Sequence, residues 1–354
     1  MAELNQEKVD GFSAKLLTTL NGSFLSLAIS IGHRTTLFET MAALPASTSE
    51  GIAEAAGLHE RYVREWLGAM VTGRIVEYDA GSRKYTLPAE HAAILTSAAG
   101  PNNMARFARV IPLLASVETG IATSFRNGGG VAYPAHREFM GVWAEVNAER
   151  IDATLTQEVL PFVPNLMEEL HAGIEVLDVG CGDGYAVTHM AKAFPNSRFT
   201  GYDLIEHFID SASHRAKSLG LGNVRFEKRD ALRIDEPEKY QLITSFDAFH
   251  DMAKPSEVLQ TIARSLAVNG TFLMVDLGAS SNLEDNIDHP LGPWLYTTSC
   301  MHCLTVSLEQ NGEGLGAMCG EQRTLEMLAG AGFKNVDVKH ISGDPFNNYY
   351  VAKH

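Results

Sequence analysis

Val176 to Ala186 reads VLDVGCGDGYA, an apolar run with one acid followed by Gly180, Gly182 and Gly184 in alternation. The ligand that such a turn is shaped to hold decides the fold. A dinucleotide turn needs G-x-G-x-x-G after its strand. From Gly180 the third place is Tyr185, and from Gly182 it is Val187, so both registers fail. No Lys-Ser or Lys-Thr pair follows, so the stretch is not a phosphate-binding loop either.

Asp178-x-Gly180-x-Gly182-x-Gly184 instead sets an acid ahead of three glycines. Glycines let the backbone approach a ligand closely, and the acid can orient the turn and receive an ammonium. Outward from the turn, IEVLDVG, SRFTGYDL, VRFEKRDAL, YQLITSFDAF and GTFLMVDLGA read as strands. Helical stretches such as Tyr185 to Phe194 and Pro255 to Leu266 alternate with them. This rhythm predicts a mainly parallel sheet covered on both faces, with ligands at the carboxyl ends of its strands. NVDVKHIS and NNYYVAKH have no helix between them and predict a closing antiparallel pair.

Asp203 ends the second strand, where a carboxylate accepts from both hydroxyls of a ribose, and Asp230 ends the third, where it accepts from an adenine amino group. Amino acid, ribose and adenine together describe S-adenosylmethionine. From about 168 to 354, through VLDVGCGDG, GYDL, RDAL, SFDAFHDM and AGAGF, the chain resembles the class I S-adenosylmethionine-dependent methyltransferases. The resemblance implies a seven-stranded Rossmann-like sheet with S-adenosyl-L-methionine as cofactor. It puts Gly180, Gly182 and Gly184 on the methionine part, Asp203 on the ribose, Asp230 and Ala231 on the adenine, and Phe246 and Asp247 near the sulfonium, with Asp178 and Leu204 also binding the cofactor. Helix capping is the alternative use of Asp230 and Asp247.

The front of the chain is mostly helical. From Val9 to Leu44, Phe12, Leu16, Leu20, Phe24, Leu27, Ile31 and Phe38 fall on one apolar face, suited to a homodimer interface or to burial within the chain. Ser47 to Glu50 has capping-box spacing, Gly57 ends that helix, Glu60 to Val71 reads as another, and YDAGSRKYTL as a hairpin turning at Gly81. Together these predict a winged helix. Between Ser47 and Glu90 stand Arg61, Arg64, Arg74, Arg83 and Lys84 against Glu50, Glu54, Glu60, Glu65, Glu77, Asp79 and Glu90. Nucleic-acid binding needs the opposite balance, and the whole chain carries a formal net charge of -15. The expected partner is a small-molecule acceptor, with no nucleic acid and no membrane.

The expected domains are 1–100 (winged helix and dimerisation), 101–165 (helical linker and lid, with Asn127 to Gly130 as a glycine loop before Tyr133, Phe139 and Trp143) and 166–354 (catalytic). The apolar stretch Phe24 to Ile31 is broken by serines and shorter than a membrane span, and no signal segment is legible, so the expected location is cytoplasmic. Cys181, Cys300, Cys303 and Cys319 read as reduced thiols, and no metal site is expected.

His250 stands where the resembling small-molecule O-methyltransferases carry a catalytic histidine, with Asp251 to orient it or cap the next helix. His302 and Tyr133 complete the candidate catalytic set. Trp294 to Gln322, with Tyr296, Cys300, His302, Cys303 and Met318, forms the other expected wall. A thiol needs little help from a base, and some relatives that the architecture resembles methylate sulfide or small thiols. That analogy leans the reading to sulfur. The alternatives are an O-methyltransferase with His250 as general base and a DNA-binding regulator that senses S-adenosylmethionine.

Overall fold

The computed structural model describes residues 4–342, 344 and 346–354. The chain forms two compact units, Met1–Ala115 and Ser116–His354.

In the first unit α1 (Gln6–Arg34), α2 (Leu37–Ala43), α3 (Ser49–Ala56) and α4 (Glu60–Thr72) precede a two-stranded wing, β1 (Glu77–Asp79) and β2 (Lys84–Thr86). The helix expected over 9–44 is broken at Thr36, whose left-handed backbone (φ 55) starts α2. Phe38, Ile52, Trp66, Leu67 and Met70 form its core. Ser47 does not cap α3, because its backbone is used in a bridge to Tyr85; the cap is Thr48, whose hydroxyl accepts from Gly51 N at 3.3 Å. In the wing turn the left-handed residue is Arg83 (φ 56) rather than Gly81, and the Asp79 carboxylate accepts from Gly81 N and Ser82 N.

Phe12, Leu16, Leu20, Phe24 and Ile31 of α1 are exposed, while Phe38 is fully buried. By length and composition alone, the 29-residue α1 is apolar enough to cross a membrane, a test that a core helix of a soluble protein or a signal sequence also passes. Only 6% of its most apolar window is buried.

The second unit holds a seven-stranded sheet in the order β5-β4-β3-β6-β7-β9-β8. Its strands are β3 (Glu175–Val179), β4 (Arg198–Asp203), β5 (Val224–Lys228), β6 (Tyr240–Phe246), β7 (Leu266–Leu277), β8 (Asn335–Lys339) and β9 (Asn347–Lys353). The first five are parallel, and β9 inserts antiparallel between β7 and β8. Consecutive strand residues bury on opposite faces: Val176, Leu242 and Leu273 pack with Val187, Met190 and Phe194, whereas Leu177, Ile243 and Phe272 pack with Val258, Leu259 and Ile262. The chain runs β3 to β4 to β5 in one direction and then returns to β6 on the other side of β3. The crevice beyond β3 and β6 is therefore the topological switch point.

Candidate active site

The turn after β3 lies in that crevice. Gly180 and Gly184 have φ of 75° and 73°, and a Cβ on either would collide, with Ala248 Cβ at 2.7 Å and with Ala212 Cβ and the Phe226 ring at 2.6 Å respectively. A Cβ on Gly182 would meet nothing within 4 Å, so this face of the turn is open to a ligand. Asp203 at the end of β4 also shapes the turn, accepting from Gly182 N at 3.0 Å and Ile205 N at 2.8 Å. Burial raises its carboxyl pKa, and these backbone donors oppose the rise.

Asp178 is buried, and its Oδ1 accepts from the Thr244 hydroxyl at 2.7 Å. Burial pushes its pKa up to about 7 despite that bond. A buried carboxyl so short of positive partners suits a ligand that brings an ammonium, and the open Gly182 face suits close backbone approach. These residues therefore fit S-adenosylmethionine in charge and shape.

Asp178, Gly180, Gly182, Asp203, Leu204, Asp230, Ala231, Phe246, Asp247, His250, Asp251, His302 and Tyr133 line one cavity of about 440 Å³. Gly184 lies behind it as the close-packed hinge of the turn. Asp230 Oδ1 caps the short turn after β5 by accepting from Leu232 N at 3.0 Å. Asp247 is no helix cap: its backbone is left-handed (φ 56), and its Oδ2 accepts from Trp143 Nε1 at 2.9 Å and Asn147 Nδ2 at 3.3 Å. Both donors come from the helix Arg137–Thr154, whose Arg150 lies 3.8 Å from the same oxygen. A non-glycine residue held in this conformation beside a cavity is a mark of functional sites.

His250 follows β6 on a tight turn, Phe249–Asp251. Its Nδ1 is 2.5 Å from Asp276 Oδ1 and its Nε2 3.4 Å from Asp251 Oδ1. Burial alone would lower the His250 pKa, but the charges of Asp276 and Asp251 outweigh it and hold the ring well above its ordinary value. Burial would likewise raise Asp251, yet His250 and His302 bring it down to about 2. The Asp251 Oδ2 lies 3.3 Å from His302 Nε2. Cys303 bonds into the same group, and burial and then the Asp251 charge push its thiol up to about 12, so it remains S–H. His250, Asp251 and Cys303 have ligand atoms within 4.8 Å, as do Asp247, His250 and Asp276; hydrogen bonds and ion pairs account for much of this closeness.

His302 and Cys303 sit on a π-helical turn, Ser299–Cys303, between the helices Gly292–Thr298 and Leu304–Glu309. Such turns recur at functional sites. Of the expected wall, Trp294, Leu295, Thr298, His302, Cys303, Gln310 and Ala317 face the cavity. Tyr296, Cys300 and Met318 are not among its lining residues; the Tyr296 hydroxyl accepts from Asn286 Nδ2 instead. Tyr133 lines the cavity and stands edge-on to His302 with ring centres 6.1 Å apart. Burial first, and then the Asp251 charge, raises its phenol pKa well above normal.

The glycine loop is anchored next to this wall. Val131 N donates to Thr305 Oγ1 at 2.7 Å, and a Cβ on Gly130 would overlap the Thr305 carbonyl, so Gly130 is there for close packing. Sequence reasoning missed Asp276, His136 and the Trp143–Asn147 clamp. Asp276 was visible as an acid near the end of an otherwise apolar strand, whereas the clamp joins residues about a hundred positions apart.

Two family models match the chain: an Rv2258c-like winged HTH domain over residues 23–97 and a methyltransferase domain over residues 170–328. Curated relatives include the malonyl-[acyl-carrier protein] O-methyltransferase of Bacillus cereus, 32% identical over 107 residues (30% of this chain, 39% of that protein). Another is the 27-O-demethylrifamycin SV methyltransferase of Amycolatopsis mediterranei, 29% identical over 140 residues (38% of this chain, 49% of that protein). The match thus spans less than half the length of either relative. Among solved structures, the mitomycin 7-O-methyltransferase aligns over 99% of this chain and 100% of its own with a TM-score of 0.72 at 16% identity. Human N-acetylserotonin methyltransferase, solved with S-adenosylmethionine, aligns over 100% and 99% with a TM-score of 0.66 at 17% identity. At these identities the structural likeness shows the fold.

Proposed function

We propose that this chain, a class I S-adenosylmethionine-dependent methyltransferase with an N-terminal winged-helix domain, moves a methyl group from S-adenosylmethionine to a hydroxyl oxygen of a small molecule. The observation that carries the reading is the buried network Asp276, His250, Asp251 and His302, three of whose members line the same cavity as Gly180, Gly182 and Asp203. A hydroxyl must lose its proton to react, and a positioned histidine–carboxylate group takes it. A thiol needs much less help, so this network favours oxygen over the sulfur acceptor to which the sequence leaned. The named relatives support the same choice, since both that state an acceptor position on the molecule transfer to oxygen.

Bound in the cavity, S-adenosylmethionine supplies a methyl group on a positively charged sulfur for in-line displacement. Asp178 receives its ammonium, the glycine turn its methionine backbone, Asp203 and Leu204 the ribose, Asp230 and Ala231 the adenine, and Phe246 and Asp247 the region of the sulfur. Phe139, Trp143, Trp294, Leu295 and Phe346 give the remaining wall an apolar and aromatic character suited to a planar phenol. Tyr133 donates its hydroxyl to the acceptor, and the helix Arg137–Thr154 covers it from water.

The reading includes a homodimer through α1, supported by its exposed apolar face. The acid-rich winged helix speaks against DNA as the partner. The direct test is S-adenosylhomocysteine formation by the purified protein with simple phenols, alongside calorimetry of S-adenosylmethionine binding. Tight cofactor binding with turnover of phenols supports the reading; binding without turnover of any hydroxyl compound contradicts it.

A further inference from the structure

One stripe of the helix Arg137–Thr154 runs along the cavity. Met140, Trp143, Ala144, Asn147, Arg150 and Ile151 recur at helical spacing and all line it. The stripe is apolar and aromatic toward the start of the helix and turns polar at Asn147 and Arg150. Its first half therefore suits an apolar acceptor, and its second half a charged or polar group.

Arg150 differs from the other arginine and lysine that line this cavity. Arg229 donates to Glu227 at 2.7 Å and lies over the Tyr202 ring at 4.5 Å, and Lys254 donates to Glu257 at 2.9 Å. The Arg150 guanidinium donates no hydrogen bond to any of the described residues. Its ion pair with Asp247 Oδ2 is 3.8 Å long, and that oxygen already accepts from Trp143 and Asn147. The side chain is only 21% exposed, yet its donors, set in a planar fork that matches a carboxylate, stand at the cavity wall without an acceptor.

We propose that Arg150 binds the carboxylate at the methionine end of S-adenosylmethionine and thereby fixes the helix Arg137–Thr154, whose aromatic half walls the acceptor. The cofactor brings a carboxylate into a cavity lined by Asp178, Asp203, Asp230, Asp247 and Asp251, and like charges at such distances repel unless a cation offsets them. Arg150 is that cation, standing beside Asp247 where β6 ends, the side of the crevice expected to hold the sulfur. Trp143 and Asn147 tie the same helix to Asp247, and Phe139, Met140 and Trp143 carry its cavity face toward the acceptor. A carboxylate held by Arg150 adds a second tie to the helix, present only when the cofactor is loaded. The inference rests on S-adenosylmethionine as cofactor and holds whether the acceptor atom is oxygen or sulfur.

The test compares S-adenosylmethionine with its decarboxylated analogue, which keeps the ammonium, sulfonium, ribose and adenine, by calorimetry on the full chain without acceptor. Arg150→Met should bind S-adenosylmethionine on the order of 10- to 100-fold more weakly, and the analogue less than about threefold more weakly. Arg150→Lys keeps the charge beside Asp247 without the planar fork, so it should fold as the wild type does and lose part of the same preference. Equal losses with both ligands would make Arg150 a prop for Asp247 and overturn the proposal. Unchanged affinity for S-adenosylmethionine, with a raised KM for acceptors that themselves carry a carboxylate, would assign the guanidinium to the acceptor and overturn it too.

Amide hydrogen exchange reads the second half of the proposal. Saturating S-adenosylmethionine should slow exchange along residues 137–154 of the wild type more than saturating decarboxylated analogue does. In Arg150→Met the two ligands should protect that helix equally. Equal protection by both ligands in the wild type would separate the helix from the carboxylate and overturn the coupling. Neither measurement involves turnover, so failure of the oxygen reading and failure of this inference are told apart.

Discussion

Trp143 Nε1 donates to Asp247 Oδ2 at 2.9 Å, tying the helix Arg137–Thr154 to a left-handed residue at the end of β6. The bond couples the helix that covers the cavity to the turn beside the expected sulfur position. Asp247→Ala should therefore cost about 1–3 kcal/mol, since it removes the acceptor of two side-chain donors and leaves a residue less tolerant of positive φ. Asp247→Asn keeps an acceptor oxygen and tolerates that backbone, so it should stay within about 1 kcal/mol of wild type. Urea denaturation of both variants checks the ordering, and equal losses would remove the clamp from the account.

The glycines of the turn should separate stability from binding. Gly184→Ala places a Cβ 2.6 Å from Ala212 and Phe226 at φ 73, so it should destabilise the fold by about 1–3 kcal/mol. Gly182→Ala has open space around it and should cost about 1 kcal/mol in backbone strain, yet weaken S-adenosylmethionine binding at least tenfold because its methyl occupies the ligand side. Thermal unfolding and calorimetry on the two variants would reveal a reversal of this pattern.

Asp178 gives a pH signature. Its pKa of about 7 in the folded protein is above the ordinary carboxyl value, so the folded state holds a proton that the unfolded state has lost between about pH 4 and 7. This contribution to stability is therefore present at low pH and lost as pH rises through 7. An ammonium beside the carboxyl lowers its pKa again. Cofactor binding near pH 6 should release a proton, and binding above about pH 8 should release none. Calorimetry in two buffers of different ionisation enthalpy measures the release; heats at pH 6 that do not depend on the buffer would remove Asp178 from the ammonium.

What the sequence disclosed and what it hid follow from the range of the interactions. The β/α rhythm and the failure of both dinucleotide registers were local facts, and they lead directly to a parallel sheet with its crevice beyond β3 and β6. The division of labour at Asp247 was not legible, because its partners Trp143 and Asn147 lie about a hundred residues earlier and no periodicity links them. Gly130 read as a flexible-loop residue, yet its place is set by contact with the Thr305 backbone. His250 and His302 looked alike as lone histidines. Only the positions of Asp276 and Asp251 show that one ring is closed on both sides and the other on one.

The exposed face of α1 predicts self-association. Phe12, Leu20 and Phe24 are 66%, 49% and 71% exposed, more apolar surface than a free helix in water favours. Light scattering should give twice the chain mass for the wild type and a shift toward the single-chain mass for Phe24→Asp. A wild type that is monomeric at micromolar concentration would leave that face to another partner and remove the homodimer.

If this cavity methylates oxygen, a hydroxyl acceptor should outrun its thiol counterpart. The most direct measurement is the ratio of kcat/KM for pairs of acceptors identical except for a hydroxyl or a thiol on the same aromatic skeleton, followed through S-adenosylhomocysteine formation. The hydroxyl member should turn over faster, and breaking the buried histidine–carboxylate network through Asp251→Ala should weaken that preference. Turnover confined to the thiol members would contradict the oxygen reading and return the chain to sulfur methylation.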